Sequence, residues 1–172
     1  MKTSDFYYDL PHELIAQTPL KNRQKSKMMV LNKNSGKIEH KIFENIVDYI
    51  YEGDTIVLND TKVLPARLFG HRVNKQEAIE VLLLKQRDGN VWQTLAKPGK
   101  KLKIGTEIVF DEKLLRAKVI DILEDGQRVI EFSYNGIFNE ILDKLGLMPL
   151  PPYITEKLED KDRYQTVYCK NL

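Results

Sequence analysis

The chain has little with which to cross-link itself or to cradle a metal. Cys169 is its single cysteine, so no intrachain disulfide and no cysteine-based metal cluster can form. The histidines, His12, His40 and His71, are scattered without metal-ligand spacing and read as surface or supporting residues, so no metal site is expected. There is no Gly-x-Gly-x-x-Gly, no phosphate-binding loop and no nucleophile elbow. Residues 1–9 lack the apolar core of a signal peptide, and no stretch approaches a membrane span, so the expected location is the cytoplasm, without membrane contact. An excess of one charge is missing too: 27 basic residues against 25 acidic ones leave +2, too little by itself to argue for nucleic acid. No internal repeat or low-complexity tract is present.

What is there suits a soluble globular chain of one domain or two small ones: 172 residues, 42% hydrophobic and 30% charged. Pro11 suits a first helical position ahead of a short helix that would turn Leu14 and Ile15 inward. Residues 27–32 and 37–41 predict a hairpin around residues 33–36. Apolar residues at 42, 43, 46, 47 and 50 predict an amphipathic helix stopped by Gly53. Residues 55–58 form a short apolar and β-branched run, the pattern of a strand buried on both faces. Hairpin, helix and buried strand together suggest an α/β layer.

From about residue 68 to residue 133 the texture changes. Strand-like runs alternate with turn signals at Asp88-Gly89, Pro98-Gly99 and Asp125-Gly126, which favours a small antiparallel barrel or sandwich, inserted into the rest. Within it Ile130, Phe132 and Tyr134 share one face. Residues 135–146 predict a helix with Ile137, Phe138, Ile141, Leu142 and Leu145 on one face and Gly146 as its C-cap. Residues 148–154 predict a stiff extended crossing in which Tyr153 is a packing anchor. Residues 155–163 read as a solvated loop or helix start, and residues 162–169 as a return to strand-like alternation.

Two places carry candidate chemistry. Where the 55–58 run ends, Asn59, Asp60 and Thr61 form a polar tip, Pro65 imposes a rigid elbow, and Arg67 is a lone cation among apolar neighbours. This is a site, or else an Asx-type turn followed by a surface or ion-paired arginine. Lys97, Lys100, Lys101 and Lys103 crowd one turn between strands, and with Arg72 and Lys75 could track phosphates; the alternative is a solvated hairpin tip. Arg23, Lys25 and Lys27 form a weaker cluster.

Four segments in order carry a resemblance. They are Asp5-Phe-x-Tyr-Asp-Leu-Pro-x-Glu-Leu-Ile-Ala-Gln17, Gly53-Asp-x-x-Val-Leu-Asn-Asp-Thr-Lys-Val-Leu-Pro-Ala-Arg-Leu-Phe-Gly70, Met148-Pro-Leu-Pro-Pro-Tyr-Ile154 and Asp162-Arg-Tyr-Gln-Thr-Val-Tyr168. Together they resemble the S-adenosylmethionine:tRNA ribosyltransferase-isomerases of queuosine biosynthesis. That resemblance implies transfer of the ribosyl part of S-adenosylmethionine to 7-aminomethyl-7-deazaguanine at the tRNA wobble position. The product is epoxyqueuosine, with adenine and methionine released.

The resemblance also implies a mixed α+β architecture: part of an α/β main domain interrupted by a small antiparallel β-barrel domain. Residues 1–66 and 147–172 would then belong to the discontinuous main domain, and residues 67–146 to the inserted barrel with its closing helix. Family members are about twice as long, so the chain resembles their N-terminal half. A full-length member is expected to be monomeric, and a bare half to self-associate. S-adenosylmethionine is implied as a consumed substrate rather than a cofactor, and tRNA as the partner. Asp60, between Asn59 and Thr61, is then the candidate general base for a proton beside the sulfonium. Arg67 could hold a phosphate or carboxylate. Tyr164 and Tyr168, on one strand face with Thr166 and opposite Gln165, could stack on adenine or a splayed base, or could simply pack in a core. The rival class is a noncatalytic RNA-binding module.

Overall fold

A computed structural model describes residues 1–169 of the chain. They fall into two compact units. One comprises residues 1–60 and 151–168, the other residues 61–150 and, of the described residues, Cys169.

The second unit is a closed antiparallel barrel. Its strands are, in chain order after the hairpin strands β1 (Lys27–Leu31) and β2 (Ile38–Ile42) of the first unit, β3 (Arg67–Arg72), β4 (Ala78–Asp88), β5 (Val91–Lys97), β6 (Glu107–Asp111), β7 (Leu115–Ile122) and β8 (Arg128–Tyr134). Neighbours run β3-β4-β5-β8-β7-β6, and β6 returns to β3 through the pairs His71↔Val109 and Arg72↔Ile108. Closure removes the exposed strand edges that an open sheet of this size would present.

Alternation explains the core. Ile79, Val81 and Leu83 of β4, Leu115, Ala117 and Val119 of β7, and Ile130 and Phe132 of β8 all point inward and are buried. The shared face expected of Ile130, Phe132 and Tyr134 is present, with Tyr134 packed at the core's edge. Thr94 is fully buried, and its hydroxyl is satisfied by donating to Arg128 O at 3.0 Å. The Asp88-Gly89 and Asp125-Gly126 turns close hairpins as read, with Gly89 at φ +50° and Gly126 at φ +84°.

Helix α1 (Phe138–Leu145) covers the barrel with Ile141 and Leu142, and Phe138 lies 5.7, 5.3 and 4.9 Å from the rings of Trp92, Phe132 and Tyr134. Ile137, expected on that face, precedes the helix and is exposed. Gly146 ends the helix in an extended conformation (φ −80°) instead of the left-handed one that usually selects glycine. Its requirement is space, since a Cβ there would stand 2.0 Å from Pro65 O. At this point the chain leaves the barrel beside its entry: Arg67 N donates to Leu147 O at 3.1 Å and Leu147 N to Arg67 O at 2.8 Å.

The first unit is thinner. The β1–β2 hairpin forms as predicted, from Lys27↔Ile42 to Leu31↔Ile38, its turn closed by Asn32 N to Lys37 O at 2.9 Å. The predicted helix after it is a 3₁₀ segment, Phe43–Tyr49, with Phe43 and Val47 exposed. Pro11 stands just before a single 3₁₀ turn, His12–Leu14, and Leu14 is exposed rather than inward. Short helices are held chiefly by packing of an apolar face, and here no described residue of either segment is buried.

The strand predicted at 55–58 does not form. These residues have no strand structure and are exposed, Val57 at 89%. A strand buried on both faces needs paired neighbours and a layer on each side, and the only sheet described in this unit is the β1–β2 hairpin. The strand-like alternation read at 162–169 is also corrected. Asp160 Oδ1 accepts from Asp162 N at 2.9 Å and starts a 3₁₀ turn, Lys161–Tyr164.

Candidate functional site

Asn59 and Asp60 belong to the first unit, and Thr61 and Arg67 to the barrel unit. Asn59, Asp60 and Thr61 are all exposed. Thr166 is brought to the tip, its hydroxyl donating to Asn59 O at 3.1 Å, so two predicted segments 107 residues apart do meet.

The segment that carries Thr166 is nailed down by Arg23. Its Nη1 donates to Gln165 O at 2.8 Å, and its Nη2 to Asp162 O at 3.0 Å and Arg163 O at 3.2 Å. Arg23 therefore braces the backbone, and Lys25 pairs with Glu44 at 2.8 Å, so two of the weaker cluster's three cations have internal partners. Gln165 is buried, Tyr164 half-buried and Tyr168 exposed, which replaces the predicted arrangement of two tyrosines and Thr166 on one face. Gln17 plays a similar bracing part: its amide donates to Tyr153 O at 3.0 Å and its carbonyl accepts from Thr155 N at 2.8 Å. Tyr153, expected to anchor packing, is 53% exposed.

In the barrel unit, Arg67 Nε lies 3.1 Å from Glu80 Oε1 and its Nη2 donates to Leu150 O at 3.3 Å. This guanidinium is half-buried between a strand neighbour and the departing chain.

The basic residues gather at one end of the barrel, where β3, β5 and β7 finish and β4, β6 and β8 begin. Glu77 sits among them and is clasped by Arg72 Nη2 and Lys101 Nζ. The Lys101 ammonium first, then the Arg72 guanidinium, hold the Glu77 carboxyl below its usual range. Lys75, Lys97, Lys100 and Lys103 are exposed, and no carboxylate among the described residues lies within ion-pair distance of them. The sequence groups Arg72 and Lys75 with Lys97, Lys100, Lys101 and Lys103, but only the fold adds the intervening Glu77.

Arg128 belongs to this site and was not singled out in the sequence. Its Nε donates to Leu102 O at 3.1 Å, with further bonds from Nη1 to Gly126 O and from Nη2 to Gly99 O. Its place at the start of a strand, two residues after Asp125-Gly126, gave no such signal. A shallow depression of about 220 Å³ lies elsewhere on the barrel, between Glu107, Arg116, Lys118 and Glu131 on the outer faces of β6, β7 and β8. Among the described residues no group of histidine, cysteine, aspartate and glutamate is arranged to hold a metal ion, and no helix is long and apolar enough to cross a membrane.

Comparison with known proteins gives the family. A model of the family described as queuosine biosynthesis protein matches residues 3–172, and the chain belongs to that family. It is 56% identical over 170 residues to an S-adenosylmethionine:tRNA ribosyltransferase-isomerase of Acetivibrio thermocellus, covering 99% of this chain and 50% of that one. A protein of the same name from Clostridioides difficile is 53% identical over 171 residues, with the same coverage. A solved S-adenosylmethionine tRNA ribosyltransferase from Thermotoga maritima is 44% identical, with 74% of this chain and 44% of that one covered at a TM-score of 0.37. The chain spans about half the length of the curated relatives it matches.

Proposed function

We propose that this chain is the N-terminal half of a tRNA-modifying transferase-isomerase. The whole enzyme moves the ribosyl moiety of S-adenosylmethionine to 7-aminomethyl-7-deazaguanine at the wobble position, giving epoxyqueuosine and releasing adenine and methionine. The observation that carries this reading is the 56% identity, over nearly all of the chain, to a relative of that name. S-adenosylmethionine is a consumed substrate, tRNA is the macromolecular partner, and the enzyme works as a monomer in the cytoplasm.

Residues 1–66 and 147–172 are part of a discontinuous α/β main domain, and residues 67–146 are the barrel inserted into it. The exposure of Ile56, Val57 and Leu58 supports this, since an apolar run of that kind awaits strands and layers that the rest of the family's length would supply. Asp60 is the general base at the tip, beside Asn59 and Thr61. Arg67, Tyr164, Gln165, Thr166 and Tyr168 line the substrate side, and the lysine-rich barrel end takes tRNA phosphates.

The 172 residues alone are inactive and self-associate through the exposed apolar surface of the first unit. The noncatalytic RNA-binding module is favoured by one observation, that the part of the chain with a finished core also presents the exposed lysines of the 97–103 turn. The deciding experiment incubates a chain of the relatives' full length with S-adenosylmethionine and tRNA carrying 7-aminomethyl-7-deazaguanine. Adenine released in step with modified tRNA is the expected result. RNA binding without adenine release refutes the enzyme reading and leaves the module.

A further inference from the structure

The lysine turn is pinned with unusual thoroughness for an exposed loop. Leu102 plugs it into the core at 0% exposure. On one side Arg128 donates to Gly99 O, Leu102 O and Gly126 O, and it comes so close that a Cβ on Gly99 would stand 3.3 Å from its Nη2. On the other side Arg72 Nη1 reaches Lys101 O at 3.4 Å while Glu77 holds the Lys101 ammonium. Arg128 is itself fixed, because the buried Thr94 hydroxyl donates to its carbonyl. The cations of the turn and its braces thus divide into two sets. Arg72, Lys101 and Arg128 hold the protein's own oxygens. Lys97, Lys100 and Lys103 are presented outward on a backbone that has been fixed in advance.

We propose that Arg128 is a positioning residue for RNA binding: it holds the 97–103 turn so that Lys100 and Lys103 meet phosphates, and touches no phosphate itself. The proposal rests on the reading of this turn as an RNA contact. A turn already ordered loses less conformational freedom on binding than one ordered by the ligand, so removing the brace should weaken affinity without removing any counterion-releasing contact.

The test measures binding of the 172-residue chain to an unmodified tRNA transcript across a salt series. Emission of Trp92, the sole tryptophan and buried in the barrel, reports whether the barrel is intact. Lys100→Met with Lys103→Met should flatten the slope of log K against log salt by about 1.5; an unchanged slope retires the RNA reading of the turn, whatever Arg128 does. Arg128→Met should lower affinity by roughly three- to tenfold at the wild-type slope. A slope reduced by about 0.9 makes Arg128 a phosphate ligand and overturns the proposal. Unchanged affinity overturns it as well.

Arg128→Lys keeps the charge but cannot span three carbonyls, so it should show the same loss; full recovery would mean that charge alone mattered. Adding Arg128→Met to the double lysine variant should cost little further affinity, whereas additive losses contradict coupling through the turn. If both Arg128 variants lose the buried Trp92 emission, Arg128 serves the barrel and not the turn, and the proposal fails.

Discussion

The barrel unit and the first unit are built from similar proportions of apolar residues and end in opposite states. Every fully buried apolar side chain described belongs to the barrel unit, among them Leu68, Ile79, Val81, Phe132 and Leu142. In the first unit Gln165, at 5% exposure, is the only buried residue described, while Phe6, Tyr7, Leu14, Met29, Leu31 and Val57 are each more than 60% exposed. The difference lies in closure. The barrel's strands pair with one another within 68 residues of chain, whereas the 55–58 run has no described strand with which to pair. Apolar content therefore does not make a core unless the partner elements are present in the same unit.

The widest separation should appear in a core truncation. Phe132→Ala should destabilise the barrel by about 3–5 kcal/mol, read by denaturant titration of Trp92 emission. Val57→Ala in the same chain should change stability by less than about 0.5 kcal/mol. Equal costs would break the contrast between the units. A second prediction sharpens it through function. In a chain of the relatives' full length, Asp60→Asn should cut turnover by about a hundredfold or more while leaving tRNA affinity nearly unchanged, as expected for loss of a general base. Unchanged turnover removes Asp60 from the chemistry.

A smaller effect is expected at the barrel's exit. Gly146→Ala places a methyl 2.0 Å from Pro65 O, a backbone atom that can yield little. The cost should be about 1–3 kcal/mol, as for overpacking elsewhere. A stability equal to wild type would mean that the two crossing segments separate freely.

The smallest effect concerns Glu77, whose carboxyl is held below the usual value of 4.5 by Lys101 and Arg72. Because the folded-state value is the lower one, the clasp's contribution is fully present above the ordinary carboxylate range. It is lost as pH falls through the lowered value. Carbon-detected titration of Glu77 should give a midpoint below 4.5, and Lys101→Met should move it upward. A midpoint at the ordinary value contradicts the clasp.

Much of the barrel was legible in the sequence because its signals are local. Asp88-Gly89 and Asp125-Gly126 specify tight turns, and period-two alternation in β8 names its own inward face. Residues 55–58 misled because periodicity reports what a segment could bury, and no described strand pairs with this one. At 162–168 an alternating pattern competed with an aspartate two residues ahead of Asp162, and the local cap won. Gly146 was found as a helix end for the wrong reason, since left-handed backbone is a property of the residue alone and close approach to Pro65 is not. Of the candidate site, the lysine cluster was readable by adjacency, whereas the Thr166–Asn59 contact was read only from the fold. Glu77 and Arg128 were not readable, because each is joined to the turn across strands far apart in the chain.

The central claim is that the barrel unit has a closed apolar core and the described residues of the unit bearing Asp60 have none. Amide hydrogen exchange of the 172-residue chain, compared with a chain of the relatives' full length, tests it most directly. The account predicts slow exchange in β3–β8 of both, and fast exchange at 55–58 that becomes slow only in the longer chain. Strong protection at 55–58 in the 172-residue chain, or fast exchange across β7 and β8, would contradict it.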